Sequence, residues 1–208
     1  MGCEGTHPGG IRLTKKLLDK ARETGLWEGK GPVLDVGCGC GETVFHLAAQ
    51  GIACTGIDME KLWEEPGTKS GLAFHQVSLM EYRPKQRYRM VTAECVLSLL
   101  EIPEALEKIS NLLEEKGLLL VSDLFTDSKE EFSRKNWERN FQRQRFRLLD
   151  WEEEACFFRE YMARWVWEKG SFPWKDRQMS YFGAVLVKEG KIADGIKEET
   201  HGAGAGRI

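Results

Sequence analysis

The sequence predicts a doubly wound α/β fold with a mostly parallel sheet, and three observations carry that expectation. Short, nearly continuous apolar runs such as VLDV, IACTGID and LLLVSD alternate with stretches of helical periodicity. The first run opens into a glycine-rich turn, VGCGCGE, that leads into a helix. Strands that alternate with helices are joined by crossovers and so run parallel, and strands without a polar side belong to a sheet covered on both faces.

Each element follows in order. Leu13, Leu17, Leu18 and Ala21 have helical spacing between Leu13 and Thr24, and Gly25 follows as a C-terminal cap. PVLDV is the first strand. ETVFHLAAQ is a helix with Val44, Leu47 and Ala48 on one face, stopped at Gly51, and IACTGID is a second buried strand ending at Asp58. LAFHQV (72–77), MVTAE (90–94) and LLLVSD (118–123) continue the sheet, and IPEALEKISNLLEEKG reads as a helix closed by Gly117. Beyond Asp123 the pattern changes. Ser128 and Glu131 have capping-box spacing and open a helix toward residue 144 that carries Arg134, Lys135, Arg139 and Arg143, with Arg145 and Arg147 following. FRLLDW is a strand, EEEACFFREYMARWVWEK a helix, and MSYFGAVLVK (179–188) a final strand of strong β preference. The expected organisation is one domain over 1–188, with a lead-in segment and helix in 1–30 and a helical, lid-like insertion and strand in 124–178. A flexible tail over 189–208, poor in anchoring residues, is expected to follow.

Composition narrows the class. Of 208 residues, 41% are hydrophobic and 30% charged, which excludes a mainly disordered or collagen-like chain. No apolar stretch reaches the roughly 20 residues of a membrane span, and MGCEGTHPGG lacks the apolar core of a signal peptide, so a cytoplasmic location is expected. The six cysteines then read as reduced thiols, and Cys38-Gly39-Cys40 has neither zinc-knuckle nor thioredoxin-like spacing, so no metal is expected. A net charge of −3 weighs against a nucleic-acid partner.

The glycine turn decides between cofactors. A dinucleotide fingerprint places its third glycine three positions after the second. Here Gly37 and Gly39 are followed by Gly41, one position early, and Glu42 stands at the helix start where a pyrophosphate would be repelled. S-adenosylmethionine has no phosphate and carries a sulfonium cation, so it tolerates that carboxylate. VLDVGCGCG followed by GIDME resembles the glycine and ribose motifs of class I S-adenosylmethionine-dependent methyltransferases of the type 11-like kind. The resemblance implies a Rossmann-like methyltransferase fold with an antiparallel C-terminal strand pair, supplied by FRLLDW and SYFGAVLVK. It also implies cofactor contacts from Asp35, Gly37, Cys38, Gly39, Gly41, Asp58, Met59, Ser78, Leu79 and Glu94. A carboxylate at Asp58 suits a ribose because it accepts from both vicinal hydroxyls. An Asx cap would explain the residue type at Asp58 but not its coupling to the turn. Two positions depart from the usual pattern: Ser78 stands where the family often carries Asp, and Arg89 where the fourth strand often begins with Asp.

HPGGIRLT is similar to a PGG-x-x-LT stretch in a bacterial small-molecule subgroup, which would bring His7 and Gly10 to the substrate; the bland alternative is a turn leading into a helix. Methyl transfer needs alignment and desolvation more than covalent help. Glu94 and Asp123, at the carboxyl ends of the fourth and fifth strands, are the candidate catalytic residues; the alternative for Glu94 is contact with the cofactor's methionine side and for Asp123 a cap on the next turn. After the fourth strand AECVLSLL lacks the Asn/Asp-Pro-Pro-aromatic signature for exocyclic or amide nitrogens, which points away from adenine and glutamine. Cys95-Val96 resembles the Cys-Val of arsenite methyltransferases, so a thiol site with Cys38 and Cys40 competes with the reading of cysteine as a small buried hydrophobe. The cations of 134–147 read as a solvated helix, an RNA grip or a lid that attracts an anionic small molecule. Trp151, Trp165, Trp167 and Trp174 suit lid packing or a homo-oligomer contact. The sequence thus points to methyl transfer to a small-molecule acceptor. The competing readings are a macromolecular substrate, a cofactor-binding domain without turnover, and an NAD-dependent reductase.

Overall fold

The computed structural model describes residues 7–64, 71–126, 130–171 and 179–190. Strands β1 (Val33–Val36), β2 (Cys54–Asp58), β3 (Leu72–Gln76), β4 (Tyr88–Glu94), β5 (Leu113–Phe125), β6 (Phe146–Glu153) and β7 (Ser180–Lys188) form one sheet in the order β3-β2-β1-β4-β5-β7-β6. The first five run parallel, and β7 is antiparallel to both β5 and β6. This is the expected fold, including the antiparallel C-terminal pair. Strand order reverses between β1 and β4, which leaves a crevice at their carboxyl ends where open α/β sheets bind ligands.

Side chains alternate across each strand, so each face of the sheet collects every second residue. Leu34, Val36, Val91, Ala93, Leu119 and Val121 share one apolar cluster with Leu106 and Ile109 of α3 (Ile102–Leu112) and Trp137 and Phe141 of α4 (Arg134–Arg143). Val33, Met90, Leu118 and Leu120 share the other with Leu13 and Leu17 of α1 (Gly10–Glu23), Val44 and Leu47 of α2 (Glu42–Ala49) and Phe158 of α5 (Ala155–Lys169). Helix α1 is also tied to β6. Lys16 pairs with Glu152 at 2.7 Å and Glu154 at 2.8 Å, and Lys20 pairs with Asp150 at 2.8 Å and Glu152 at 3.0 Å. Burial opposes the charge on Lys16, but the bonds it donates to Glu152 and Glu154 outweigh it and hold its pKa above the ordinary lysine value.

Two expected boundaries move. Helix α3 stops at Leu112 rather than at Gly117, because Leu113 already pairs with Tyr88 in the sheet. Lys116 makes the bend there, with φ of 60°, and a side chain at Gly117 would come within 2.9 Å of the Glu114 carbonyl oxygen. Helix α4 starts later than the capping box suggests. Its cap is Ser133, whose hydroxyl accepts from the Asn136 amide, whereas Ser128 lies outside the described residues. Most of the tail expected from 189 onward, and Trp174, also lie outside them.

Candidate active site

The site starts from strand alternation. Asp35 of β1, Thr92 and Glu94 of β4 and Ser122 of β5 occupy the positions between the residues of the α3/α4 cluster, so they lie on the side of α1 and α2. All four are buried. Thr92 Oγ1 donates to Asp35 Oδ1 at 2.6 Å. Glu94 Oε2 accepts from Thr14 Oγ1 of α1 at 2.8 Å and from Thr43 Oγ1 of α2 at 3.3 Å, while Ser122 Oγ lies 3.5 Å from Oε1. The leading helix and the helix after the glycine turn therefore meet on one carboxylate.

The glycine turn sits above this cluster. Gly37, Gly39 and Gly41 have φ of 70°, 51° and 85°, a left-handed region that costs L side chains strain. A side chain at Gly37 would collide with Val96 at 2.8 Å and one at Gly41 with Phe74 at 2.6 Å, so the protein's own packing demands glycine there. At Gly39 a side chain would meet nothing within 4 Å, which leaves open space beside the backbone. The turn is bonded to β2: the Gly37 and Cys38 amides donate to the Ile57 carbonyl, and the Gly39 amide donates to Asp58 Oδ2 at 2.9 Å. Asp58 Oδ1 caps the Glu60 amide at 3.0 Å. Asp58 is therefore both a cap and a brace for the turn, with lone pairs to spare on each oxygen.

A pocket of about 160 Å³ at this turn is lined by His7, Asp35, Gly37, Cys38, Gly39, Cys40, Glu42, Thr43, Leu62, Glu94 and Cys95. Burial, with smaller contributions from Glu94 and Asp58, pushes the Asp35 carboxyl up to about 8 against the bond from Thr92. Cys95 adopts φ of 56°, rare for a non-glycine residue and typical of functional sites, and its amide donates to the Ser122 carbonyl at 2.7 Å. Burial pushes its thiol up to about 12, and burial likewise raises Cys38. Both remain thiols rather than thiolates. A side chain at Gly56 would strike the Cys38 sulfur at 2.8 Å, so that cysteine packs tightly over β2 as a small apolar residue. Among the described residues no cluster of three His, Cys, Asp or Glu is placed to hold a metal ion.

The remaining sequence candidates divide. His7 lines both this pocket and a neighbouring cleft of about 460 Å³, and Gly10 lines the cleft. Met59 is exposed at the end of β2. Ser78 is engaged with Glu81, and Leu79 is buried in the α3/α4 cluster, so neither lines the glycine-turn pocket. Asp123 is fully buried, with its oxygens bonded to the Ser98 and Leu124 amides at 3.0 and 2.7 Å, and it lines neither cavity. Burial raises its pKa, and these amides oppose the rise. The structure adds groups that the sequence reading passed over: Thr14, Thr43, Thr92 and Ser122 on the carboxylates, and Phe157, Glu160, Tyr161 and Arg164 of α5 along the cleft. Alternation of Thr92 and Glu94 within MVTAE was a signal for the former. Spacing at i, i+3, i+4 and i+7 was one for the latter.

A braced glycine turn at the switch point, opening into a pocket lined by Asp35, Glu42 and Glu94, makes this a Rossmann-like α/β protein with its ligand crevice at the carboxyl ends of β1 and β4. Residues 11–170 match the family described as methyltransferase domain, and the chain belongs to that family. It is 32% identical over 127 residues to the Uncharacterized methyltransferase YodH of Bacillus subtilis (strain 168), covering 57% of this chain and 52% of that protein. The chain thus spans about half the length of the curated relatives it matches. Among solved structures, phosphoethanolamine N-methyltransferase 2 of Haemonchus contortus in complex with S-adenosyl-L-methionine superposes with a TM-score of 0.70 at 14% identity, over 91% of this chain and 55% of that one. The (4+2)-cyclase SpnF gives 0.69 at 19%, over 89% and 85%. The 1,6-didemethyltoxoflavin-N1-methyltransferase of Burkholderia thailandensis, bound to its substrate and S-adenosylhomocysteine, gives 0.63 at 16%, over 86% and 78%. At these identities the likeness is one of fold. S-adenosylmethionine is the cofactor of this family. The residues present suit it: the carboxyl groups of Asp35, Glu42 and Glu94 line the pocket, where a cation would meet them, and the open side of Gly39 admits close approach.

Proposed function

We infer that this chain transfers the methyl group of S-adenosylmethionine to a small-molecule acceptor held in the cleft between α1 and α5. One observation carries the reading. The cleft of about 460 Å³ shares His7 and Glu42 with the glycine-turn pocket, so the two spaces adjoin. Its size falls in the range of small-molecule sites. The cofactor supplies a sulfonium-bound methyl: an acceptor lone pair forms the new bond to that carbon while the carbon–sulfur pair departs to sulfur, leaving a neutral thioether. In this reading Asp58 accepts from the ribose hydroxyls, and the Gly37 to Gly41 turn lies against the methionine portion. Glu94, fixed by Thr14 and Thr43, meets the cofactor's cationic side. Asp35 balances the same charge from below. The described elements act as one methyltransferase domain, with α5 covering the acceptor.

The placement of the basic stretch supports a small acceptor over RNA. Trp137 and Phe141 seat α4 in the α3/α4 cluster, whereas α1 and α5 pack on the opposite face of the sheet. Its arginines are partly engaged there: Arg134 with Glu138 at 2.9 Å, and Arg147, beyond α4, with Glu189 at 3.5 Å. Incubation with methyl-labelled S-adenosylmethionine and separate pools of small molecules, RNA and protein tests the reading. Label in the small-molecule pool is expected; label confined to RNA or protein would overturn it. A second reading rests on SpnF, a cyclase on the same fold. It predicts cofactor binding without label in any pool.

A further inference from the structure

The junction of the two spaces carries the chemistry of transfer further, resting on the methyltransferase reading. Two side chains, His7 and Glu42, line both the glycine-turn pocket and the cleft. In that reading the acceptor's nucleophile meets the sulfonium methyl at this junction, so a group that takes a proton there has to reach it too. Asp35 and Glu94 line the cofactor pocket but not the cleft, and each is already engaged, Asp35 by Thr92 and Glu94 by Thr14 and Thr43. On the cleft side, burial raises the pKa of Tyr161, so its phenol keeps its proton. Of the two shared residue types, a carboxylate is by nature the much weaker base, whereas an imidazole exchanges protons near neutral pH.

The local structure prepares His7 for that task. Its Nδ1 lies 3.2 Å from the Pro8 carbonyl oxygen, and a carbonyl only accepts, so Nδ1 carries the hydrogen. In the neutral ring this fixes the tautomer and leaves the free lone pair on Nε2. The residue is also held in place relative to the cofactor pocket. Its carbonyl accepts from the Gly10 amide at 3.1 Å, which joins it to the start of α1, and one turn further on Thr14 donates to Glu94 at 2.8 Å. Between them Gly9 has φ of 82°, and a side chain there would come within 2.7 Å of Leu13 and 3.0 Å of Phe157, so the turn packs closely against α5.

We propose that His7 Nε2 is the general base of the transfer and that the methyl-accepting group is a protonated hydroxyl. The hydroxyl oxygen forms its bond to the sulfonium methyl, the carbon–sulfur pair departs to sulfur, and the hydroxyl proton passes to Nε2, giving an imidazolium that releases it to water afterwards. Positive charge thus leaves sulfur as it appears on the ring, and Glu42, which lines both spaces, faces it before and after. The acceptor class follows from the base. An amine attacks through a lone pair it already has, and a thiolate has no proton to lose, but a hydroxyl is a poor nucleophile until its proton is taken.

The full chain tests this with methyl-labelled S-adenosylmethionine and two probes of one shape, 4-methylphenol and 4-methylbenzenethiol. At about pH 8 the phenol is protonated and the thiol largely ionised, so only the phenol needs the base. The wild-type chain should label both. His7→Gln should cut labelling of the phenol about 100-fold or more and leave labelling of the thiol little changed, a separation that a merely structural role would not produce. Glu42→Gln should not separate the two probes. Heteronuclear NMR of the histidine rings at about pH 9, where an imidazole is neutral, should show the His7 hydrogen on Nδ1, the signal being assigned by its loss in His7→Gln. A phenol left unlabelled by the wild-type chain, an equal loss on both probes in His7→Gln, a selective loss in Glu42→Gln instead, or the hydrogen on Nε2 overturns the proposal. Failure of S-adenosylmethionine to bind in calorimetry overturns the methyltransferase reading instead.

Discussion

The two faces of the sheet are built from alternate residues of the same strands, yet they differ in kind. Toward α3 and α4, β1, β4 and β5 present Leu34, Val36, Val91, Ala93, Leu119 and Val121, interrupted on β5 by the buried Asp123, whose oxygens are bonded to the Ser98 and Leu124 amides. Toward α1, α2 and α5 they begin equally apolar at Val33, Met90 and Leu118, then turn polar at Asp35, Thr92, Glu94 and Ser122 as they approach the crevice. Buried polar groups cost stability unless each is bonded, so one face serves cohesion and the carboxyl end of the other serves the site.

That division is broken most forcefully from the apolar side. Leu106→Ala removes a fully buried side chain of α3 and should cost about 2–5 kcal/mol in urea unfolding. Cofactor affinity of the molecules that remain folded should hardly change. Across the sheet, Asp58→Asn should weaken S-adenosylmethionine binding by about 10- to 100-fold, the worth of a charge-assisted bond, with a smaller loss of stability because the single amide oxygen keeps only one of the Gly39 and Glu60 amides bonded. Asp35→Asn sharpens the contrast through pH. The native carboxyl keeps its proton to about 8 while the unfolded one loses it near 3.8. Between those values the native state holds more protons, so stability of the free protein falls as pH rises, and the substitution should flatten that slope in thermal melts. Binding a cation favours the ionised carboxylate, so cofactor affinity should rise with pH up to about 8 and release a proton, and neither effect should survive in the variant. Thr14→Val, which takes one donor from Glu94, should cost about 1 kcal/mol of stability together with a rise in cofactor Kd. Lys20→Ala, which removes partly exposed pairs with Asp150 and Glu152, should cost about 1 kcal/mol or less and leave binding alone.

Much of this was legible in the sequence because it is local. The apolar runs gave the strands, and the spacing of Gly37, Gly39 and Gly41 separated the turn from a dinucleotide fingerprint. What escaped depends on distant partners. The run LEEKG reads as helix until the sheet captures Leu113 opposite Tyr88. Asp123 has the residue type and strand-end position of a catalytic group, but the Ser98 amide, from a separate turn, occupies it. The arginines of 134–147 outnumber Arg12 and Arg164, yet packing of Trp137 and Phe141 turns α4 to the apolar face while the two scattered arginines line the cleft. Charge density along the chain therefore misdirects where geometry decides.

In the proposed reading the braced glycine turn and Asp58 together hold S-adenosylmethionine. Isothermal titration of the folded chain with S-adenosylmethionine and S-adenosylhomocysteine, alongside Asp58→Ala, tests it most directly. Micromolar binding that the substitution abolishes is the predicted result; absence of binding to protein with an intact unfolding transition, or equal binding by the variant, would contradict it.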